Sequence, residues 1–408
     1  MRILWITNVP IYRRDKQIYG GGWLNGAYNQ AVLAHSIFVA FPDKENSDNE
    51  DSYSFKTKVN TLVPAASVKR RLVEIIEKVN PDIIHIWGTE YVHSFSAISA
   101  AKECGLIKKT VVSIQGLTSV YSLFYYAEVP IWARMGLSIN EIRRGTSLTI
   151  QKLKFYLRGK YEVTTLREAT WCIGRTDWDE AYCKKYNNSI GYRKCNEILR
   201  DSFYTSEKWD YERCVSNSIF FSQAHYPIKG LHRLLLVLSG IVKKYPQTKV
   251  FVAGRKKDLV SRIKSDSYEK YLQSICHKYC LTDRIVFVGI KDENEMAKQY
   301  RQANVFVSSS SIENSPNSLG EAMIIGVPVV SSDVGGVKNL LTHGSEGFIY
   351  PWEDNYMLAY YIEKIFSMTK EELKNISQNE IKKAEQTHSI ETNSIILNEI
   401  YNEIVSNG

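Results

Sequence analysis

Short apolar runs rich in β-branched residues recur along this chain, and stretches with helical spacing separate them. Such runs are typical of buried strands. Their alternation with helices predicts an α/β fold built on parallel sheets. In the first half of the chain we predict strands at residues 2–7, 38–41, 83–87, 110–114, 169–174 and 195–199.

The same alternation continues in the second half and indicates a second Rossmann-like domain. A polar, aromatic stretch at residues 201–217 predicts an interdomain linker, so we expect domains at residues 1–205 and 213–385. An acidic, polar stretch at residues 43–56 predicts a surface loop. The strands predicted for the second domain lie at residues 218–222, 250–253, 285–288, 305–308, 327–331 and 348–350.

Residues 303–336 contain most of the chemistry that the sequence reveals. A strand ends at about Ser308, a polar loop follows, and a helix from about Ser318 then runs to Gly326, a residue suited to a left-handed helix end. In a parallel sheet, such loops lie at the carboxyl edge where ligands bind, and a helix N-terminus favours phosphate. Glu313 and Glu321 flank this turn and are placed to hold sugar or ribose hydroxyls.

A structural interpretation competes with this one. Ser318 and Glu321 have the spacing of a capping box, in which the glutamate only accepts a hydrogen bond from the N-cap amide. A glutamate such as Glu313, alone on a loop after a strand, is more often solvated than functional. Residue spacing alone leaves both interpretations open.

The surrounding residues favour a ligand site. Residues 313–323 (ENSPNSLGEAM), 326–330 (GVPVV) and 333–336 (DVGG) resemble the Glu-x7-Glu signature of family 4 retaining nucleotide-sugar glycosyltransferases. The resemblance implies the GT-B fold, in which two Rossmann-like domains face across a cleft. It also implies that a C-terminal helix, here at about residues 390–408, packs back on the first domain. The implied donor is a UDP- or GDP-linked sugar, with no cofactor and no metal.

The resemblance gives the matching residues their roles. Glu313 binds hydroxyls of the transferred sugar and Lys229 stabilises the departing diphosphate, so these two are the predicted catalytic residues. Glu321 holds the ribose. The remaining predicted donor contacts are the glycine pair Gly21 and Gly22 and the backbone amides of Asn317, Ser318 and Leu319.

The sequence departs from the family pattern at two positions. Ala224 stands where the family has an arginine beside the diphosphate, and we expect Arg255 or the helix dipole to supply the missing charge. Gln115 stands where the family commonly has a histidine, and it can still hydrogen-bond a sugar hydroxyl. Glu90 follows the strand at residues 83–87 and Arg175 follows the strand at residues 169–174, so we predict them as further acceptor-side residues. A plain surface acid explains Glu90 at least as well, and a helix cap is the alternative for Arg175.

Composition and charge limit the function classes. A chain of 408 residues with 44% hydrophobic residues forms folded domains, and a net charge of +8 is too small to indicate a nucleic-acid partner. Seven cysteines without a ligand-pair spacing predict reduced thiols and no metal site. No apolar run is long enough to span a membrane, so we expect a cytoplasmic protein.

One segment modifies that expectation. Residues 131–160 contain seven Lys or Arg against one Glu, with aromatic and aliphatic residues between them. Such a segment is typical of helices that lie on an anionic membrane surface, which would place the protein peripherally on the inner face of the membrane. An ordinary basic helix that covers the first sheet is an equal alternative.

The sequence therefore predicts a retaining glycosyltransferase that moves a sugar from a nucleotide diphosphate to a hydroxyl. The resemblance favours a lipid-linked saccharide acceptor in the biosynthesis of bacterial polysaccharides. Two alternatives stay open, namely a GT-B nucleotide-sugar epimerase or hydrolase and a non-catalytic sugar-nucleotide binding protein.

Overall fold

Contacts divide the chain into two α/β units. The computed structural model describes residues 1–11, 22–136, 138–255, 257, 259 and 265–408. The first unit contains Met1–Ser122, Lys154–Arg200 and His388–Gly408, and the second contains Leu123–Leu153 and Asp201–Thr387. This division differs from the predicted domain 1–205, because residues 123–153 group with the second unit.

The elements of both units follow one another in chain order. The strands are β1 (Arg2–Ile6), β2 (Ser36–Asp43), β3 (Ser47–Asp48), β4 (Ser52–Lys56), β5 (Ile83–Trp87), β6 (Thr110–Ser113), β7 (Trp171–Gly174), β8 (Gly191–Lys194), β9 (Ser218–Phe221), β10 (Lys249–Ala253), β11 (Ile285–Gly289), β12 (Val305–Ser308), β13 (Val329–Ser332) and β14 (Phe348–Tyr350). The helices are α1 (Gly22–Ala31), α2 (Ala66–Val79), α3 (Val92–Glu103), α4 (Thr118–Phe124), α5 (Ile131–Met135), α6 (Ile139–Arg144), α7 (Leu148–Glu168), α8 (Asp177–Tyr186), α9 (Asp201–Thr205), α10 (Leu231–Lys244), α11 (Ser267–Lys278), α12 (Glu293–Gln302), α13 (Asn317–Ile325), α14 (Val337–Leu340), α15 (Asn355–Ser367), α16 (Lys370–Thr387) and α17 (Ile390–Asn407).

The first unit is built on an eight-stranded sheet with the order β3-β4-β2-β1-β5-β6-β7-β8. Every neighbouring pair is parallel except β3 and β4. Strand β5 is buried throughout, as expected for a parallel strand with helices on both faces. Helix α17 packs on this unit, where the hydroxyl of Tyr401 accepts a hydrogen bond from the indole of Trp5 at 3.1 Å and lies 2.6 Å from Nδ1 of His85.

Two predictions for the first unit are wrong. Residues 43–56 are not a simple surface loop, because they contain β3 and β4, and the polar sequence of β4 hides the buried side chains of Tyr53 and Phe55. Residues 195–199 are not a strand, because β8 ends at Lys194. Their apolar members are buried instead where the chain leaves the edge of the sheet.

The second unit is built on a six-stranded sheet with the order β11-β10-β9-β12-β13-β14, and all of its strand pairs are parallel. The six strands predicted for this half are confirmed, with boundaries that differ by one or two residues. The strand order reverses between β9 and β12. Ligands of open parallel sheets bind at such a reversal, beyond the carboxyl ends of the strands.

Two segments outside this sheet complete the second unit. The predicted linker, residues 201–217, packs on it, and the indole of Trp209 donates to the carbonyl of Ala303 at 2.7 Å. Residues 123–153 are anchored by Glu141, whose carboxylate accepts hydrogen bonds from the amide and hydroxyl of Ser267 at 3.1 and 2.7 Å. Both segments therefore belong to the second unit by specific contacts.

Candidate active site

The loops that follow β9 and β12 are joined at the strand-order reversal. Gly230 has φ 76°, and a side chain there would overlap the carbonyl oxygen of Ser309, so the position requires glycine. The hydroxyl of Ser309 donates to the carbonyl of Gly230 at 2.8 Å, and the amide of Ser311 donates to the carbonyl of Ile228 at 2.8 Å. These bonds fix Lys229, the residue between Ile228 and Gly230, against the second loop.

The two predicted catalytic residues meet at this point. Nζ of Lys229 lies 2.6 Å from Oε1 of Glu313, and the hydroxyl of Ser310 donates to the same oxygen at 2.7 Å. Burial is the largest single influence and opposes the lysine cation, but the charge of Glu313, the neighbouring Tyr226 and the hydrogen bond to Glu313 together raise the pKa of Lys229. Lys229 is therefore held as a cation, and the pair is nearly enclosed on the carboxylate side because Glu313 is only 6% exposed.

A second glycine supports Glu313 from behind. Gly335 has φ 54°, and a side chain there would overlap the carbonyl oxygen of Glu313. The amide of Gly336 donates to the same carbonyl at 3.2 Å. The sequence DVGG thus lets the chain after β13 pack directly against the backbone of the Glu313 loop.

The N-terminus of α13 is not closed by a capping box. The helix begins at Asn317 after Pro316, and no side chain caps it. Glu321 is 6% exposed and accepts a hydrogen bond from the buried hydroxyl of Tyr300 at 3.3 Å. That hydroxyl also lies 3.1 Å from the carbonyl of Ser318. The capping-box interpretation of Glu321 is therefore wrong.

The helix amides differ in what they can bind. The amide of Leu319 donates to the carbonyl of Pro316 at 2.9 Å, so the predicted contact of this amide with the donor is not supported. Within the described part of the chain, the amides of Asn317 and Ser318 donate to no partner. These two amides, at the positive end of the helix dipole, remain suited to an anion.

Cations gather beside the Lys229 loop. The pKa of His225 is lowered by partial burial and by the charges of Lys257, Arg255 and Lys229, in that order. Arg255 thus lies close enough to His225 to affect its pKa, and its role in compensating for Ala224 stays a prediction. Lys257 was not predicted. Its position two residues after Arg255 could have identified it as a further cation near the site. It is 7% exposed and lies 3.5 Å from Glu269.

The glycine pair and the acceptor-side residues belong to the first unit. Gly21 lies outside the described residues, and Gly22 begins α1. Gln115 and Arg175 line one cavity, where Nη2 of Arg175 donates to the carbonyl of Gln115 at 2.9 Å. Glu197 lines the same cavity, with Oε1 3.0 Å from Nη1 of Arg175.

Sequence reasoning missed Glu197 because it placed residues 195–199 in a strand. The third predicted residue, Glu90, is not among those that line the cavity. Burial raises its pKa to about 7, and the nearby carboxylate of Glu162 adds to the effect. Glu162 was also missed. It accepts hydrogen bonds from the amides of Thr118 and Ser119 at 2.6 and 3.2 Å and supports the loop that carries Gln115.

Comparison with known proteins identifies the unit that holds Lys229 and Glu313. Residues 215–383 match the family model described as "Glycosyl transferases group 1". Residues 215–383 of the second unit are therefore similar to group 1 glycosyl transferases, and we call them the group 1 domain. Part of the chain is 28% identical over 150 residues to phosphatidyl-myo-inositol mannosyltransferase of Mycobacterium leprae, which covers 36% of this chain and 37% of that protein. The chain covers 33% of the length of an uncharacterized glycosyltransferase of Methanocaldococcus jannaschii and 46% of that of one from Haemophilus influenzae.

Solved structures resemble the chain well beyond the group 1 domain. Sucrose-phosphate synthase from Thermosynechococcus elongatus superposes with a TM-score of 0.71 at 15% identity and covers 100% of both chains. HepE from Anabaena, in complex with UDP and glucose, gives a TM-score of 0.68 at 15% identity and covers 98% of this chain and 99% of that one. The predicted GT-B fold is thereby confirmed.

Proposed function

We propose that the protein is a retaining glycosyltransferase that moves a sugar from a nucleotide diphosphate to a hydroxyl acceptor. The observation that carries this proposal is the partly buried pair Lys229 and Glu313, 2.6 Å apart, at the strand-order reversal of the group 1 domain. In the transfer, the bond from the anomeric carbon to the diphosphate breaks and a bond to the acceptor oxygen forms on the same face. The acceptor's proton leaves with the departing diphosphate.

The residues of the pair act on opposite ends of the breaking bond. Glu313 accepts hydrogen bonds from the hydroxyls of the transferred sugar and faces the positive charge that develops on its ring. Lys229, helped by Arg255 and by the amides of Asn317 and Ser318, neutralises the leaving diphosphate. Preorganised cations and amides of this kind commonly contribute about 3 kcal/mol each to transition-state stabilisation.

The donor is a UDP- or GDP-linked sugar. Glu321 holds the ribose, and the buried hydroxyl of Tyr300 keeps its carboxylate in place. The complex of HepE with UDP and glucose favours uridine. Because Lys229 and the helix amides supply the positive charge, the reaction requires no metal, and dialysis against EDTA should leave the rate unchanged.

The test measures nucleotide release and product formation with a panel of UDP- and GDP-sugars. Glu313→Gln should lower the rate of transfer at least about a hundredfold, because it removes the charge that faces the sugar, while circular dichroism remains that of the wild type. NMR of the product should show the anomeric configuration of the donor. Full activity of Glu313→Gln would remove this residue from the site.

The same panel separates the alternatives. Turnover of donor without acceptor would favour an epimerase or hydrolase. Donor binding without any turnover would favour a non-catalytic binding protein.

The acceptor that we propose is a lipid-linked saccharide, presented at an anionic membrane surface. The supporting observation is the segment 123–153, which is fixed to the second unit on one side and exposes large apolar side chains on the other. Ile131, Trp132 and Met135 are 71%, 56% and 69% exposed. None of the described helices combines the length and the apolar character that crossing a bilayer requires.

The charges of this segment fit an anionic surface. Of its two acids, Glu141 is buried against Ser267 and Glu128 pairs with Arg233 of the second unit, whereas Arg143 and Arg144 are exposed. Apolar side chains beside exposed cations are the combination that binds the headgroup region of anionic bilayers. Residues 154–160 instead belong to the first unit, and Arg158 is buried there. The alternative interpretation, an ordinary basic helix that covers the first sheet, therefore applies only to residues 154–160.

Sedimentation with vesicles tests this contact. Vesicles that contain phosphatidylglycerol should sediment the protein at low salt, and the double variant Ile131→Ser with Met135→Ser should bind at least about tenfold less because it removes two inserted side chains. Ile290, which is 55% exposed elsewhere in the second unit, provides the control Ile290→Ser. No sedimentation of the wild type, or equal loss in the control, contradicts a membrane contact of this segment.

A further inference from the structure

Part of the segment 123–153 contacts the loop that carries Glu313. We call residues 124–128 the strap, and the second unit contains both the strap and its partners. The carbonyl of Phe124 accepts a hydrogen bond from the hydroxyl of Ser311 at 3.2 Å. Ser311 stands two residues before Glu313. The first residue of the strap is therefore joined to the loop after β12.

The strap contacts the loop that carries Lys229 as well. The ring of Tyr125 lies parallel to that of Tyr226, with the ring centroids 6.4 Å apart and an angle of 10° between the ring planes. Offset rings at this distance attract each other. Tyr125 is buried, and Tyr226 stands three residues before Lys229. The strap therefore also packs on the loop after β9.

Two side chains in the first turn of α10 hold the other end of the strap. Nε2 of His232 lies 2.6 Å from the carbonyl oxygen of Ala127, and the guanidinium of Arg233 pairs with the carboxylate of Glu128. His232 is 1% exposed and Arg233 is 3% exposed. Because α10 follows directly after Gly230, the strap is held on both sides of the loop that ends there.

The hydrogen bonds of His232 fix the protonation of its ring. Burial lowers the pKa of His232 to about 4, so the ring is neutral at about pH 7. The carbonyl of Ala127 can only accept, so Nε2 carries the proton. Nδ1 then accepts a hydrogen bond from the hydroxyl of Tyr268 at 3.0 Å. Nε2 is therefore committed to the strap and Nδ1 to α11.

The strap has a backbone conformation that needs support from its surroundings. Ala127 has φ 45° and Glu128 has φ 60°, in the left-handed region that residues other than glycine rarely enter. This conformation costs free energy, and it persists only where surrounding contacts offset the cost. The contacts from His232 and Arg233 are placed to do so.

We propose that the strap positions Lys229 against Glu313 and that His232, which holds the strap, is a positioning residue. Release of the strap would loosen the loops after β9 and β12 together. The side chains of the pair would be unchanged but no longer fixed 2.6 Å apart. That the pair meets a nucleoside diphosphate rests on the proposed function. That the strap orders the two loops does not.

Two variants of His232 separate its two hydrogen bonds. His232→Gln carries an amide donor near the position of Nε2 and keeps the bond to Ala127, whereas His232→Asn is one methylene group shorter and reaches only Tyr268. Each variant loses one of two buried hydrogen bonds, so the two should have similar unfolding temperatures. Only His232→Asn releases the strap.

Hydrogen exchange of the unliganded full chain, followed by mass spectrometry, measures the order of the loops. The amides of Gly230 and Ser311 donate hydrogen bonds within and between them. Peptides that contain these amides should exchange at least about fivefold faster in His232→Asn than in wild type, and within about twofold of wild type in His232→Gln. Ser311→Ala, which frees the strap at Phe124, is the second variant if His232→Asn does not fold, and its Gly230 peptide should also exchange faster.

Isothermal titration with UDP and GDP gives the second readout. The nucleotide that binds the wild type should bind His232→Asn at least about fivefold more weakly and His232→Gln within about twofold of wild type. The reason is that a displaced Lys229 loses part of its interaction with the diphosphate. A residue that served stability alone would change both variants alike.

The outcomes separate this proposal from the proposed function. Equal exchange in the two His232 variants, or wild-type exchange in both His232→Asn and Ser311→Ala, would contradict the positioning role. So would unchanged nucleotide affinity in a His232→Asn variant whose loops exchange faster. If exchange behaves as expected but neither nucleotide binds the wild type, the strap still positions the pair and the transferase proposal fails.

Discussion

At the scale of single residues, environment decides which acids and bases have a role in the site. Lys229 and Glu313 could be paired from sequence only through a family resemblance, because 84 residues separate them along the chain. The structure shows what fixes the positions of Lys229 and Glu313, namely the serines of the loop after β12 and two glycines at positive φ. Glu197 could not be found from sequence, since its neighbours imitate a strand.

Glu90 gives a prediction at this scale. Its pKa is raised to about 7, so its contribution to stability is fully present below about pH 4.5 and is lost as the pH rises through about 7. Glu90→Gln removes the buried charge and should therefore raise the free energy of unfolding by about 1 kcal/mol at about pH 8, and by little at about pH 5. Urea unfolding at both pH values measures this difference.

Glu399→Gln, at an exposed acid on α17, is the matched control and should show no such dependence on pH. A Glu90→Gln difference that is equal at both pH values would mean that the carboxyl of Glu90 is solvated.

At the scale of elements, hydrophobic periodicity predicted eleven of the strands, because parallel strands buried on both faces read as continuous apolar runs. The same rule explains the failure at residues 43–56, where β4 alternates Ser and aromatic residues. Its buried residues Tyr53, Ser54 and Phe55 therefore form no continuous apolar run. Residues 195–199 were misjudged for a related reason. Residues that are buried after the end of a strand form an apolar run that resembles a strand.

The junction of the β9 and β12 loops gives a second prediction. Gly230→Ala should destabilise the protein by about 2 to 4 kcal/mol, because the added carbon overlaps the carbonyl of Ser309 and the φ of 76° disfavours alanine. Gly240→Ala is the control. Gly240 lies inside α10 with open space at its Cα, so alanine there should stabilise the helix by about 0.5 to 1 kcal/mol. Thermal unfolding of both variants would show opposite shifts, and shifts of the same sign would contradict the packing of these loops.

At the scale of the whole molecule, the sequence predicted two α/β domains but misplaced one segment. Residues 123–153 follow β6 in the chain, which made the first domain their expected place, yet buried polar contacts such as that of Glu141 with Ser267 tie them to the second unit. Contacts between residues more than a hundred positions apart leave no local pattern. From composition alone, the sequence could indicate only that this segment is rich in apolar side chains. The structure shows which of those side chains are exposed.

Nucleotide binding tests the central claim, that Lys229 faces a nucleoside diphosphate beside Glu313. Isothermal titration of wild type, Lys229→Ala and Lys244→Ala with UDP and with GDP measures it, with Lys244 as an exposed lysine that is paired with Glu363 at 2.7 Å. We expect one of the two nucleotides to bind the wild type and Lys244→Ala equally, and to bind Lys229→Ala at least about tenfold more weakly, as the loss of one charged hydrogen bond predicts. Equal affinity of Lys229→Ala and wild type, or no binding of either nucleotide, would contradict the account.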